Sequence, residues 1–339
     1  MAKGSNKEGG GIGELLAYAG DRKFLTYLGM ALSAFSQLLS FGPYVCIWLV
    51  ARDLIAVAPN WSEAADIAMY GWWAVGFALA SIVVYFVGLM CTHLSAFRCA
   101  SNIRKATSEH LLKLPLGYFD THATGELRRI VDGCAASTET LLAHMLPDIA
   151  GATAMVVGLL VLLFALDWRL GAACLISVVV SFCAMATMMS GKGAEFMRAY
   201  MGALVKMNKT GTEYVRGIPV VKVFQQTVYS FKAFHDAIAE YADMAQSYAG
   251  TFCRGPQVLN LTALNGLVAF LLPVALLLAP GETDFAHFMA NFTFYAIFSA
   301  VVPTAMTKLM FVGEASQMSA DSLARIRSVI DSKRLSVPA

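Results

Sequence analysis

Charge is scarce in this chain. Only 14% of its 339 residues are Asp, Glu, Lys or Arg, against about a quarter in an ordinary soluble protein, while 58% are hydrophobic. Mean hydropathy is +0.61. A soluble domain of that composition would expose large apolar patches, so the shortage excludes one and indicates an integral membrane protein. Neither sign dominates, with Lys+Arg 25 against Asp+Glu 23, and a basic footprint for nucleic acid is absent. Also lacking is any G-x-x-x-x-G-K-[ST] loop; Ser190-Gly191-Lys192-Gly193 has neither the upstream Gly nor the following Ser/Thr, so no nucleotide is bound that way. The seven cysteines show no C-x-x-C spacing and are odd in number, which speaks against a zinc site or a disulfide framework. No apolar stretch follows MAKGSNKEGGG closely enough to make a cleavable signal, so residues 1–11 read as a flexible cytoplasmic tail.

Long apolar runs, by contrast, are plentiful. A span needs roughly 20 apolar residues, and six candidates fit: about Phe24–Val50, Ile67–Cys91, Leu141–Leu166, Leu170–Met189, Val258–Ala279 and Phe285–Met310. An even number places both termini on one side. Three connections are short and hold Asp53, Glu63, Asp66, Asp167, Glu282 and Asp284 against only Arg52 and Arg169. The remaining basic residues sit on the termini, the two long connections and their junctions with the spans, a side that by the positive-inside rule is cytoplasmic.

Both long connections are helical in composition. His93–Leu114 has no Gly or Pro and should extend the second span until Leu114-Pro115-Leu116-Gly117 breaks it. Thr124 is the expected N-cap of the returning helix, with Glu126 in its first turn. In the second connection, Glu195–Tyr214 should be helical, Gly217-Ile218-Pro219 should interrupt, and Val220–Tyr248 should return. At 1.5 Å per residue each arm reaches roughly 30 to 37 Å below the bilayer. The fold class is thus an all-α membrane protein with six spans and two long cytoplasmic hairpins.

Polar side chains inside spans are costly and mark a cavity or a helix contact. Arg254, Gln257 and Asn265 fall within about 80° on a helical wheel and form the proposed cavity stripe, joined by Gln37 and Tyr44 on the first span and Asn291 and Tyr295 on the sixth. Interhelical hydrogen bonding, or snorkelling for Arg254, remains an equal alternative for each, and Asn260, off the stripe, reads as a helix–helix bond. His93 has no second ligand at i+3 or i+4. His144 has Asp148 at i+4, but two ligands do not make a metal site, and beside Pro147 a packing or capping role is expected. No metal site is expected.

The segments LPLGYFDTHATGELRRIVDGC (114–134) and EYVRGIPVVKVFQQT (213–227) resemble the first and second intracellular loops of ABC transporter half-subunits with the type IV (exporter) fold. The run LLAHMLPDIAGATAMVVGLLVLLFALDWRLGAA (141–173) is similar to the siderophore-importing subgroup, such as the transporters for yersiniabactin and mycobactin. This resemblance covers about Ile12–Asp331. It implies a transmembrane domain over 12–331, with Gly11–Ala19 as an elbow helix on the cytoplasmic leaflet, and 332–339 as the start of a linker to a nucleotide-binding domain. That domain would belong to the same full-length polypeptide or to a separate chain, the former being favoured. The resemblance further implies coupling to it through Tyr118, Phe119 and Asp120 at the first hairpin tip, and through Glu213, Tyr214 and Arg216 at the second, Tyr214 acting as anchor. Implied partners are the lipid membrane, a second half-transporter (homo- or heterodimer) and the nucleotide-binding domains, which would carry ATP and Mg; no cofactor is expected in this chain. The implied function is ATP-driven permeation across the cytoplasmic membrane by alternating access, importing a siderophore or metal chelate, or else exporting drugs, lipids or peptides. A channel would need an Arg-rich sensor and a filter loop, and a membrane enzyme would need H-E-x-x-H or G-x-S-x-G; neither set is present.

Overall fold

The computed structural model of the protein describes residues 11–189, 191–223 and 229–335. The tail expected over residues 1–11 therefore lies outside the described residues except for Gly11, and so does the last part of the 332–339 linker. No strand occurs among the described residues. The chain divides into two compact units: one made of the residues up to Asp167 and those from Glu282 onward, the other of Trp168–Gly281.

In the first unit, α1 (Gly11–Ala17) precedes α2 (Lys23–Leu39) and α3 (Gly42–Val57). The first expected span lies within one spanning element, Gly20–Val57, that is jointed between α2 and α3. Pro43 is the cause: it has no N–H to donate, and its ring clashes with the carbonyl four residues back, that of Leu39, where α2 ends. Next comes α4 (Ile67–Leu111), 45 residues without a break, about 67 Å at 1.5 Å per residue. Its apolar half is the second span and its remainder the descending arm. After Pro115 the short α5 (Leu116–Thr121) forms the tip, and α6 (Thr124–Arg128), α7 (Cys134–Thr140) and α8 (Leu146–Ala165) return as one rod, joined by π-helical turns at Arg129–Gly133 and Leu141–Met145. Ala123, not Thr124, occupies the N-cap, and no side chain caps that end; Glu126 does lie in the first turn.

Three helices of this unit cross through small and hydroxyl side chains. A Cβ on Gly29 of α2 would lie 2.6 Å from the Gly88 carbonyl oxygen of α4, so only glycine permits the approach. Thr26 Oγ1 donates to Ser95 Oγ at 2.7 Å, Ser33 Oγ to the Pro147 carbonyl at 2.7 Å, and Thr92 Oγ1 to the Ala143 carbonyl at 2.9 Å. Between spans, where lipid tails are as apolar as leucine, close packing and such bonds hold helices together.

Below the spans a conventional apolar core takes over. Leu15, Leu16 and Ala19 are buried against Cys99, Ile103, Leu323 and Ile326. The apolar face of the first helix is therefore packed on the protein. Asn102 Nδ2 donates to the Tyr18 carbonyl at 2.7 Å, and Glu14 pairs with Arg327. Burial pushes the Cys99 thiol up to about 12. After α14 (Phe285–Phe298) and α15 (Val301–Ile330), the chain returns to the end of α4: the Leu335 N–H donates to the Lys113 carbonyl at 2.8 Å, and His110 Nε2 lies 3.0 Å from the Ser332 carbonyl. The sixth expected span is split between α14 and the start of α15, which continues well past Met310.

The second unit begins with α9 (Trp168–Met189), followed by α10 (Lys192–Val223), α11 (Tyr229–Gln246), a π-helical segment Ser247–Cys253, α12 (Arg254–Asn265) and α13 (Leu267–Leu278). The fifth expected span is bent by 55° between α12 and α13. Gly266 sits at the bend, its N–H held 2.7 Å from the Thr262 carbonyl, and any Cβ there would meet that oxygen at 2.5 Å. Gly217-Ile218-Pro219 does not interrupt the descending helix, contrary to expectation; α10 runs on to Val223. Pro219 leaves the Val215 carbonyl without its amide partner, and Val215 and Pro219 are both exposed, so water can serve that carbonyl. Val220–Tyr248 consequently does not return as one helix, and residues 224–228 of the expected loop lie outside the described residues. Among the described residues four helices are long and apolar enough to cross a membrane, five if the bent pair is one span.

Candidate functional site

The first hairpin tip is fully described. Pro115, extended, aims α5 away from α4, and the Tyr118 N–H closes the turn on the Pro115 carbonyl at 3.0 Å. The Tyr118 ring stacks on His122 at 4.0 Å and meets Phe119 edge-on at 5.9 Å. Leu112 is 87% exposed and Leu116 85%, with Phe119 and Asp120 exposed beside them. A rigid two-turn element with bare leucines and an aromatic is what a docking knob needs: an apolar surface with little left to order on binding.

The second set is placed differently. Glu213 and Arg216 are exposed along α10, not at a tip, and Tyr214 is half-buried with its ring stacked on Phe234 of α11 at 5.8 Å. Further rings zip α10 to α11, Tyr200 with Tyr241, and to the π-helical segment that follows, Tyr200 with Tyr248 and Phe196 with Phe252. The Tyr200 and Tyr241 hydroxyls are hydrogen-bonded at 2.9 Å, which holds the Tyr241 phenol above its usual range.

Of the polar span residues, Arg254, Gln257 and Asn265 are exposed on α12 of the second unit, though Asn265 Nδ2 donates to the Leu261 carbonyl of its own helix at 2.9 Å. Asn260, as expected, bonds its neighbour, donating to Ser181 at 3.0 Å. Gln37 is half-buried beside Gly151, whose absent Cβ leaves room for it. Tyr44 packs edge-on against Phe298. The structure uses Asn291 and Tyr295 for assembly. Asn291 is 2% exposed and accepts from Trp48 Nε1 at 3.1 Å. The Tyr295 hydroxyl, 2.7 Å from the Leu163 carbonyl, also accepts the Asp167 N–H at 3.1 Å and so closes the end of α8.

One polar group joins two elements of the first unit. On α4 and the α8 rod, His93 and His144 meet edge-on with ring centroids 4.7 Å apart, and the Tyr85 hydroxyl donates to Asp148 Oδ1 at 3.0 Å. His144 and Asp148 are exposed, and Tyr85 and His93 half-buried. Of the two roles expected for His144 and Asp148, packing is the one the structure shows, since each contacts a side chain of α4; neither caps a helix end. Their i, i+4 spacing was the signal. On α4, His93 follows the expected end of the second span at Cys91, and Tyr85 lies eight residues earlier, about 12 Å toward the middle of that span. Among the described residues no three His, Cys, Asp or Glu side chains gather to hold a metal ion.

A family model for the ABC transporter transmembrane region matches residues 26–302. Two similar proteins are named mycobactin import ATP-binding/permease protein IrtA. That of Mycolicibacterium smegmatis is 26% identical over 245 residues, 71% of this chain and 27% of its own length. That of Mycobacterium tuberculosis is 27% identical over 205 residues, 60% of this chain and 23% of its own length. ABC transporter B family member 1 of Dictyostelium discoideum is 24% identical over 156 residues, 44% of this chain and 17% of its own. The chain thus spans about a quarter, or less, of the length of the curated relatives it matches.

Proposed function

The chain belongs to the ABC transporter transmembrane family, with the type IV fold, and on that premise we propose that it is the permease part of an ATP-driven importer of a ferric siderophore. The observation that carries the reading is the similarity to mycobactin importers over as much as 72% of the chain, beside a helix, α4, that continues from span to tip without a joint. Nucleotide-binding domains, in the same polypeptide or a partner, would bind ATP and Mg and dock on α5 through Leu116, Tyr118, Phe119 and Asp120. Glu213, Tyr214 and Arg216 on α10 would contribute near the second contact. With a second half-transporter completing the cavity, ATP binding would close the arms and shift the spans between inward- and outward-facing states, a population shift that requires the ligand to prefer one of them. Both termini and both arms would lie on the cytoplasmic side of the inner membrane. Arg254, Gln257 and Asn265, exposed on α12, stay candidates for the cavity wall.

The test is ATPase activity of the full transporter in vesicles. Ferric siderophores should change the rate. A rate that ignores a broad siderophore panel but rises with hydrophobic drugs or lipids would establish export as the function.

A further inference from the structure

The C-terminal half of α3 and the start of α14 both adjoin short connections, at the span ends away from the arms. Deeper in, the two helices meet through the Tyr44 and Phe298 rings; here a buried amide joins them. Asn291, 2% exposed, accepts from Trp48 Nε1 at 3.1 Å through Oδ1, and its Nδ2 lies 3.3 Å from Nε2 of the exposed His287, one turn earlier. The indole can only donate, so it fixes the amide, oxygen toward Trp48 and NH2 toward His287. His287 Nε2 must therefore accept, which places the ring proton on Nδ1. On α3, Arg52 lies over the Trp48 ring at 5.4 Å and pairs with Asp53 at 2.9 Å. Glu282 and Asp284 precede α14, and the Asp284 side chain accepts the His287 backbone N–H at 2.9 Å. Asp167, after α8, adjoins Tyr295 about two turns further along α14.

An imidazolium donates from both nitrogens and has no lone pair to offer. Once His287 is protonated, two donors compete for the single oxygen of Asn291. A bond from a charged donor is roughly twice as strong as a neutral one, and the terminal amide torsion is broad and two-fold. The oxygen therefore turns to His287 and leaves the NH2 against the Trp48 N–H, donor against donor. We infer that His287, Asn291 and Trp48 form a proton-operated joint between α3 and α14, closed while His287 is neutral and released when it is protonated. Histidine is the side chain whose charge changes between about pH 5 and 8, and His287 is exposed to receive the proton. Resting on the alternating-access reading above, these ends face the outer medium, so acid there eases the opening of that side.

The indole N–H resonance of Trp48 tests this, in the full transporter isotope-labelled at tryptophan in nanodiscs and identified by its loss in Trp48→Phe. His287→Gln keeps an uncharged acceptor for Asn291 and should match wild type at about pH 8. At the same pH His287→Lys, a charged donor, should speed exchange of the Trp48 N–H with solvent about tenfold, the worth of one such bond. On going from about pH 8 to about pH 5, the wild-type resonance should move toward its position in His287→Lys, and that of His287→Gln should stay. His287 is exposed, so both variants should fold, and thermal unfolding checks that they do. A wild-type resonance that holds across this range, an equal movement in His287→Gln, or wild-type exchange in His287→Lys overturns the joint. The import reading is decided by uptake of the chelate and stands or falls apart from these outcomes.

Discussion

The two helical arms look alike in sequence and are built differently. Both are Ala-, Leu- and Lys/Arg-containing helices that descend, turn and return. In the first, Cys99, Ala100 and Ile103 are completely buried beneath α1 and the end of α15, so the arm is the centre of a small globular core. In the second, Ala203 and Ala237 are the buried apolar residues among those described on α10 and α11, while Met201 and Val205 stay 47% and 64% exposed. Its helices adhere through stacked rings and the Lys206–Glu240 ion pair. Stiffness in the first arm comes from burial, and in the second from side-chain zippering of two helices.

Substitutions sharpen or break that contrast. Ile103→Ala should cost the most, about 2–5 kcal/mol for a large-to-small change in a closed core, seen as a drop in thermal midpoint in detergent. Gly29→Ala should cost about 1–3 kcal/mol by forcing α2 away from α4. Tyr214→Ala in the second arm should lose the Phe234 stack, about 0.5–1.5 kcal/mol beyond its area; a loss as large as that of Ile103→Ala would show the second arm to be core-built after all. Gly202→Ala should reverse the sign. Nothing lies within 4 Å of a Cβ there, and inside α10 the change stabilises by about 0.4–1 kcal/mol through the unfolded chain. The smallest effect is a null one. Because the buried Cys99 thiol ionises only near 12, raising the pH from neutrality to about 9 should not speed its maleimide labelling, whereas a thiol with an ordinary value would react far faster. Rapid labelling at that pH would show α1 to be undocked.

Much of this architecture was legible in hydrophobic run lengths: α4 passes from span to arm where the apolar composition ends, and Pro115-Leu116-Gly117 marks the tip. The misjudged points share a cause. Proline and glycine act on geometry that depends on their setting, so Pro43 leaves only a joint in the first span, Pro219 near an exposed helix end is tolerated, and Gly266 bends the fifth span. Asn291 and Tyr295 read as polar span residues with two possible uses, and only their partners Trp48 and Asp167, 243 and 128 residues away, decide between them. The His144–Asp148 spacing was visible, but its partners His93 and Tyr85 are set by how the rod pairs with α4, which no local pattern encodes.

Direction of transport tests the central claim most directly. Proteoliposomes holding the complete transporter, with its ATPase domains facing inward and ATP inside, should accumulate radio-iron presented outside as ferric mycobactin, and lose that uptake without ATP. ATP-driven expulsion of the chelate, or iron entry indifferent to ATP, would contradict it.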